Sequence, residues 1–232
     1  MDDSTPPPLS LWLRELPITV PIALAPLRRA QPVAGARDGA GQPVLVIPGI
    51  LSSDSATALL RGTLDATGYR SHASELGFLT GIQPNVLARA VARLAEVAEA
   101  EQRKVAIVGW SLGGLYARVL AQRHPDLVEL VMTLGSPFSG DRRANNAWRL
   151  YEAINGHKVD APPVPDDPAV KPPVPTIALW SRKDGVIAPA AARGLPHERD
   201  AEVEVPFHHF ALASTRPAIE RVVTELGEAL AG

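Results

Sequence analysis

An α/β domain built on a mostly parallel sheet is what this sequence predicts, and three observations predict it. The apolar runs Val44-Leu45-Val46-Ile47 and Val105-Ala106-Ile107-Val108 are unbroken rather than alternating, and Val128 to Leu134 is apolar apart from Glu129 and Thr133, as strands buried on both faces are. Segments with helical periodicity separate them. The length, 232 residues, suits one ordinary domain with a substantial core. Strands and helices in alternation imply helices on both faces of the sheet.

The first run, Val44 to Ile47, stops at Pro48-Gly49, a strand closed by a turn. A helix is expected near Ala56 to Ala66, ending at Gly68. Asn85 is placed to cap the next helix, in which Val86, Leu87, Ala90, Val91, Leu94 and Val97 recur at helical spacing. Arg89, Arg93, Glu96 and Glu99 take the opposite face. The second strand, Val105 to Val108, runs straight into Gly109, and a helix from Leu115 to Arg123 stops at His124-Pro125. Val128 to Leu134 is the third strand, closed by Gly135-Ser136-Pro137. Thr176 to Trp180 is a fourth, Glu202 to Val205 a short fifth, and Arg216 to Leu230 a closing amphipathic helix.

Two segments stand outside this rhythm, so the single domain over 1–232 has an N-terminal arm (1–42) and an insertion (141–175). The insertion holds no strand pattern, and Ala161 to Pro175 carries seven prolines. A helix is expected around Asn145 to Ile154, bearing Trp148, Leu150 and Tyr151. A structureless stretch of this length in a compact domain reads as a cap over a pocket, with a solvated linker as the alternative. The arm opens Met1-Asp2-Asp3-Ser4-Thr5 and then three prolines, without the basic start and apolar run of a secretory signal. Leu9 to Leu27 is apolar on average, but Pro17, Pro21 and Pro26 interrupt it and Arg14-Glu15 lies inside it. A transmembrane segment is not expected there. The arm is expected to pack on the domain, with peripheral lipid contact as the other reading. A cytoplasmic location is the corresponding expectation.

Apolar residues make up 46% of the chain and charged residues 21%, with a formal charge of −2. That charge creates no field to recruit nucleic acid, and no basic stripe is present, so no nucleic-acid partner is expected. Cysteine is absent, which removes disulfides, thiolate metal sites and thiol nucleophiles together.

The chemistry centres on Gly109-Trp110-Ser111-Leu112-Gly113. A Gly-x-Ser-x-Gly match is weak alone, but this one sits where an apolar strand ends and a helix begins. A serine at such a sharp turn is exposed above the sheet at a helix N-terminus, where the dipole favours developing negative charge. The flanking glycines let the chain bend.

Val105 to Leu120, with Gly-Trp-Ser-Leu-Gly-Gly-Leu-Tyr-Ala-Arg, resembles the α/β-hydrolase superfamily in its bacterial lipase and carboxylesterase branch. The likeness extends to Thr133-Leu134-Gly135-Ser136-Pro137-Phe138, to Trp180 through Ile187, and to His209-Phe210-Ala211-Leu212-Ala213. It covers Pro43 to the C-terminus and leaves out the arm and the insertion. The α/β-hydrolase fold is what it implies.

A serine hydroxyl needs a base to accept its proton, and in this fold the base follows the serine with an acid between them. His208 and His209 follow the last strand and precede the final helix. The family pattern maps onto His209, with Phe210-Ala211-Leu212 after it, and His208 stays as the alternative. Asp184 ends the loop after Thr176 to Trp180 and gives the order Ser111, Asp184, His209 expected for the fold. Asp166 and Asp167 lie in the proline-rich stretch with no strand to position them.

The oxyanion donors are expected from the Leu112 amide and from the loop Pro48-Gly49-Ile50-Leu51. Relatives commonly have His-Gly where this chain has Pro48-Gly49. Pro48 has no N–H, so Ile50 is the expected donor, with Leu51 the other possibility. Leu51, Trp110, Phe138 and Trp148 are the candidate substrate-binding residues, forming an apolar acyl pocket.

The expected activity is hydrolysis of small-molecule or lipid carboxylic esters, short- to medium-chain acyl groups favoured, through an acyl-enzyme (EC 3.1.1.-). No metal or cofactor is required. Triacylglycerol lipase, thioesterase or acyltransferase chemistry would use the same residues, and a non-catalytic binding module is the remote alternative.

Overall fold

The structure is a computed structural model that describes residues 4–231; Met1, Asp2, Asp3 and Gly232 lie outside the described residues. Six strands carry the sheet: β1 (Pro43–Ile47), β2 (Arg70–Ala73), β3 (Val105–Trp110), β4 (Val128–Leu134), β5 (Thr176–Trp180) and β6 (Ala201–Glu204). Every pairing is parallel, in the order β2-β1-β3-β4-β5-β6. The helices are α1 (Leu9–Leu13), α2 (Thr19–Ala23), α3 (Ala58–Ala66), α4 (Pro84–Glu101), α5 (Leu112–Arg123), α6 (Trp148–Asn155), α7 (Pro189–Arg193) and α8 (Arg216–Ala229).

The unbroken apolar runs have a simple cause. Side chains alternate between the two faces of a strand, and here both faces are covered. Val44, Val46, Ala106 and Val108 pack on one side with Leu60 and Leu64 of α3 and Val222 and Leu226 of α8. Leu45, Ile47 and Ile107 pack on the other with Leu87 and Leu94 of α4 and Leu120 of α5.

β2 escapes the sequence reading because Arg70-Ser71-His72-Ala73 is polar. It is an edge strand, where charge and short length guard the open rim, and His72 Nε2 lies 3.0 Å from Glu101 Oε1. The α4 cap is Gln83 rather than Asn85, with Pro84 at the first helical position; proline's fixed φ suits that position. β3 runs on through Trp110, and α5 starts at Leu112 instead of Leu115. Strand and helix therefore meet at Ser111 with no intervening loop. β6 and α8 also end one residue earlier than expected.

The chain order reverses at β1 and β3: β2 lies to one side, the later strands to the other. Ligands of open α/β sheets bind beyond the carboxyl ends of the strands at such a switch point. Here that place is bounded by Pro48 and Ser111.

The arm lies on the body through α1, the turn Leu16–Ile18, α2 and the turn Ala25–Leu27. Trp12 packs beside Trp180 and Val186, and Ala25 is buried in the core. Among the described residues, no helix is long and apolar enough to cross a membrane. Segment 141–175 contains α6 and otherwise turns and extended chain. It is tied down where Asn155 Nδ2 donates to Thr80 O at 2.9 Å and Arg123 pairs with Asp166 at 2.8 Å.

Candidate active site

Ser111 sits at φ 53° and ψ −119°, a region that non-glycine residues reach only when the surroundings hold them there. Its N–H donates to Leu134 O at 2.9 Å, fixing the turn to the neighbouring strand. The bend requires close approach. A Cβ on Gly113 would run into the Ile47 carbonyl oxygen, and one on Gly109 into the Gly113 carbonyl.

Asp184 follows β5 in the loop that begins at Ser181, and it is 1% exposed. Its Oδ1 accepts the Val186 and Ile187 N–H groups at 2.8 and 2.7 Å, and its Oδ2 takes His209 Nδ1 at 2.8 Å. The backbone bonds fix the carboxylate plane, so the second oxygen points at the imidazole.

His209 is 2% exposed. Burial opposes its charged form, but Asp184, by charge and hydrogen bond, and then Glu15, by charge, outweigh that. The imidazole titrates above the ordinary 6.5. Trp110 Nε1 donates to the His209 carbonyl at 3.2 Å, and its ring stands 5.8 Å from the imidazole. The residue before Ser111 therefore holds the histidine turn in place. Among the described residues no hydrogen bond joins Ser111 Oγ to His209.

His208 does not meet Asp184. Its Nδ1 lies 3.8 Å from Glu15 Oε1 and has no hydrogen-bond partner. Asp166 pairs with Arg123 instead, and that ion pair holds its carboxyl below the usual range.

The Leu112 N–H opens α5, so it has no intrahelical carbonyl to bond. Leu51 N–H donates to Leu79 O at 2.7 Å and is thereby committed. No hydrogen bond engages the Ile50 N–H among the described residues, nor the Gly49 N–H before it, so both amides of the Pro48 loop are free.

A cavity of about 240 Å³ opens beside Ser111, lined by Ile50, Leu112, Leu115, Phe138, Trp148 and Ile187 among others. Of the four candidate substrate-contacting residues, Phe138 and Trp148 line it; Leu51 and Trp110 do not. Leu51 is partly exposed on the outside of the loop, and Trp110 lies under the histidine turn. Tyr116 also lines the cavity, unremarked in sequence because it lies on the same stripe as core residues of α5. Its hydroxyl donates to Gly81 O at 2.8 Å, and burial pushes its pKa up to about 12.

Behind the cavity wall, the buried Arg118 guanidinium bonds the carbonyls of Pro168, Ala169 (3.2 Å) and Glu198 (2.7 Å). It also stacks 4.0 Å over the Phe138 ring, and its Nη1 has no partner. Burial pulls its pKa down to about 10, against the opposing charges of Glu198 and Asp167. Among the described residues, no cluster of three or more acidic or histidine side chains is placed to hold a metal ion.

Glu15 was not legible as part of this region. It is fully buried, and both its oxygens accept backbone N–H groups from the Asp184 and His209 turns. Its charge inside an apolar run was the one local sign.

Residues 43–153 match the family model described as alpha/beta hydrolase fold. No curated protein matches the chain in sequence. Among solved structures, an alpha/beta superfamily hydrolase from Oenococcus oeni PSU-1 is 15% identical with a TM-score of 0.61, covering 84% of this chain and 94% of its own. A monoacylglycerol lipase from Paleococcus ferrophilus is 15% identical with a TM-score of 0.58, covering 87% and 96%. The pyrethroid hydrolase PytH is 19% identical, also at 0.58, covering 82% and 98%. The matched segment and the all-parallel sheet, with its strand-to-helix turn at Ser111, agree: the chain has the α/β-hydrolase fold.

Proposed function

We propose that the chain is a serine hydrolase acting on carboxylic esters, with Ser111 as nucleophile, His209 as base and Asp184 as its orienting acid. The observation that carries this is the 2.8 Å bond between His209 Nδ1 and a carboxylate fixed by two further N–H groups, on a turn that Trp110, the residue before the strained Ser111, holds through the His209 carbonyl. That bond holds the proton on Nδ1 and leaves Nε2 to accept one from Ser111. Ser111 Oγ attacks the ester carbonyl carbon as its proton passes to Nε2. The Leu112 and Ile50 amides receive the oxyanion. The imidazolium then protonates the departing alcohol, leaving an acyl-Ser111 ester. Water, losing a proton to Nε2, hydrolyses that ester and restores the serine.

The cavity argues for the acyl portion. Its walls are mostly apolar, and about 240 Å³ falls below the roughly 300–1,000 Å³ usual for drug-sized ligands. Short to medium acyl chains fit such a space, with segment 141–175 serving as a cap that supplies Trp148 from above. The resemblance to a monoacylglycerol lipase in fold is consistent with an ester substrate.

The test is hydrolysis of p-nitrophenyl esters from C2 to C16. Wild-type activity peaking at or below medium chains, abolished in a folded Ser111→Ala variant, is the expected result. Undiminished hydrolysis by Ser111→Ala would overturn the assignment of the nucleophile.

A further inference from the structure

Neither the fold nor the proposed chemistry calls for Glu15. It lies in the arm, outside the matched segment 43–153, yet it is one of the most deeply buried carboxyl groups in the protein. Its Oε1 accepts Gly185 N–H at 2.8 Å and His209 N–H at 2.8 Å, and its Oε2 accepts Phe210 N–H at 3.0 Å. Gly185 is the residue after Asp184. One side chain therefore bridges the turn carrying the acid to the turn carrying the base, across sequence separations of 170 and 194 residues.

The arm is fastened at several further points. Asn146 Nδ2 donates to both Pro7 O (2.9 Å) and Gly185 O (2.8 Å). Gly185 packs so closely on the Leu11 carbonyl that a Cβ there would overlap it. A buried carboxyl group costs several kcal/mol unless it is fully hydrogen-bonded. A purely adhesive contact between arm and body would be served as well by an apolar side chain, which carries no such cost.

We propose that Glu15 is a positioning residue for the Ser111 chemistry: from the arm it locks the Asp184 and His209 turns together and places a negative charge behind the imidazole. This rests on the reading of Ser111, Asp184 and His209 given above. Glu15 touches no substrate; it acts through His209. The charged and titratable groups facing that imidazole are Asp184 from the loop after β5 and Glu15 from the arm, while its own turn adds His208. The nucleophile strand adds only the neutral Trp110. When Ser111 gives up its proton, the new imidazolium is thus held by two carboxylates, one bonded to the ring and one to the backbone beneath it.

Glu15→Gln and Glu15→Asp separate charge from reach. Glutamine retains an oxygen acceptor without the charge; aspartate retains the charge on a shorter stem. The readouts are the pH profile of kcat/KM on p-nitrophenyl butyrate, and the titration of the His209 Hε1 proton by NMR. In Glu15→Gln the histidine titration and the acidic limb of the profile should move to lower pH. Its kcat should fall by up to about tenfold for each pK unit that His209 drops, with KM within about twofold. In Glu15→Asp the titration should stay close to wild type while kcat falls through looser geometry, by up to about 10²-fold. A folded Glu15→Gln protein with unchanged His209 titration and unchanged kcat, differing only in Tm, would overturn the proposal and leave Glu15 a structural staple. Identical titrations in the two variants would do the same. The NMR titration needs no substrate. A wild-type chain inactive on every ester would therefore sink the ester reading without touching this test.

Discussion

Replacing Asp184 by asparagine changes one atom and, in the proposed mechanism, inverts the logic of the site. The carboxylate has two distinct sides: Oδ1 accepts two backbone N–H groups at 2.8 and 2.7 Å, and Oδ2 accepts from His209 at 2.8 Å. An asparagine amide must turn its oxygen to one side and its NH2 to the other. Facing the NH2 toward Val186 and Ile187 would oppose two donors and forfeit two buried bonds, each worth about 1–3 kcal/mol when left unmet. Facing it toward His209 forfeits one, and the imidazole can restore that bond by changing tautomer. The NH2 therefore turns to the histidine, Nδ1 becomes an acceptor, and the proton moves to Nε2. In that form Nε2 cannot take the Ser111 proton. The equivalent wrong-tautomer change in serine proteases lowers kcat about 10⁴-fold, a loss of about 5 kcal/mol in transition-state stabilisation. The assay is steady-state hydrolysis of p-nitrophenyl butyrate at pH 7 to 9, with far-UV circular dichroism to verify the fold. The rate at which a fluorophosphonate labels Ser111 should fall in parallel. A folded Asp184→Asn protein keeping more than about a tenth of wild-type kcat would refute the tautomer argument and the acid's assignment together.

Because His209 titrates above 6.5, kcat/KM should rise with pH through that higher value, since the proposed base acts when neutral. Stability should run the other way: a raised folded pKa adds stability in full below the unfolded pKa of about 6.5, and that contribution is lost as pH rises through the folded value. Thermal melts and rates across pH 5 to 9 would check both, and parallel trends would contradict the shift. Gly113→Ala drives a Cβ against the Ile47 carbonyl oxygen and should cost about 1–3 kcal/mol, a fall of several degrees in Tm. An unchanged Tm would show that the elbow can yield. Arg118→Met leaves the Pro168, Ala169 and Glu198 carbonyls without their donor and should destabilise by roughly 2–4 kcal/mol. It should also speed proteolysis within segment 157–171; equal cleavage rates would count against that anchoring.

Much of the architecture was legible because burial writes itself into composition. β1, β3 and β4 are covered on both faces, so their sequences are apolar almost throughout, Glu129 and Thr133 of β4 excepted, and each leads directly to a turn. β2 was hidden because an edge strand needs no apolar face, and α1, α2 and α7, at five residues each, are too short for periodicity to register. The proposed site divides the same way. Ser111 is marked by its neighbours and Asp184 by the strand before it. Trp110 looked like a pocket residue because it adjoins Ser111, but adjacent strand residues face opposite ways, and its indole lies under the His209 turn. Leu51 could have donated to an oxyanion until its amide was seen to pair with Leu79. Glu15 depends on contacts 170 and more residues away, and no local pattern encodes those.

The proline-rich stretch has a consequence of its own. Ala161 to Pro175 contains seven prolines, so nearly half its residues bring a carbonyl acceptor with no amide donor to match. Such a chain cannot balance its own polar groups, and it has no sheet partner to borrow from. Arginine is the complementary object, all donors and no acceptors. Arg118 reaches it from α5, and from the next turn Gln122 adds bonds to the Asp167 and Val170 carbonyls at 2.9 and 2.6 Å. The helix whose first turn presents Ser111 is thus also the foundation of the opposite wall. One helix carries Ser111 at its start and, through the side chains of Arg118 and Gln122, holds the proline-rich wall of the same cavity.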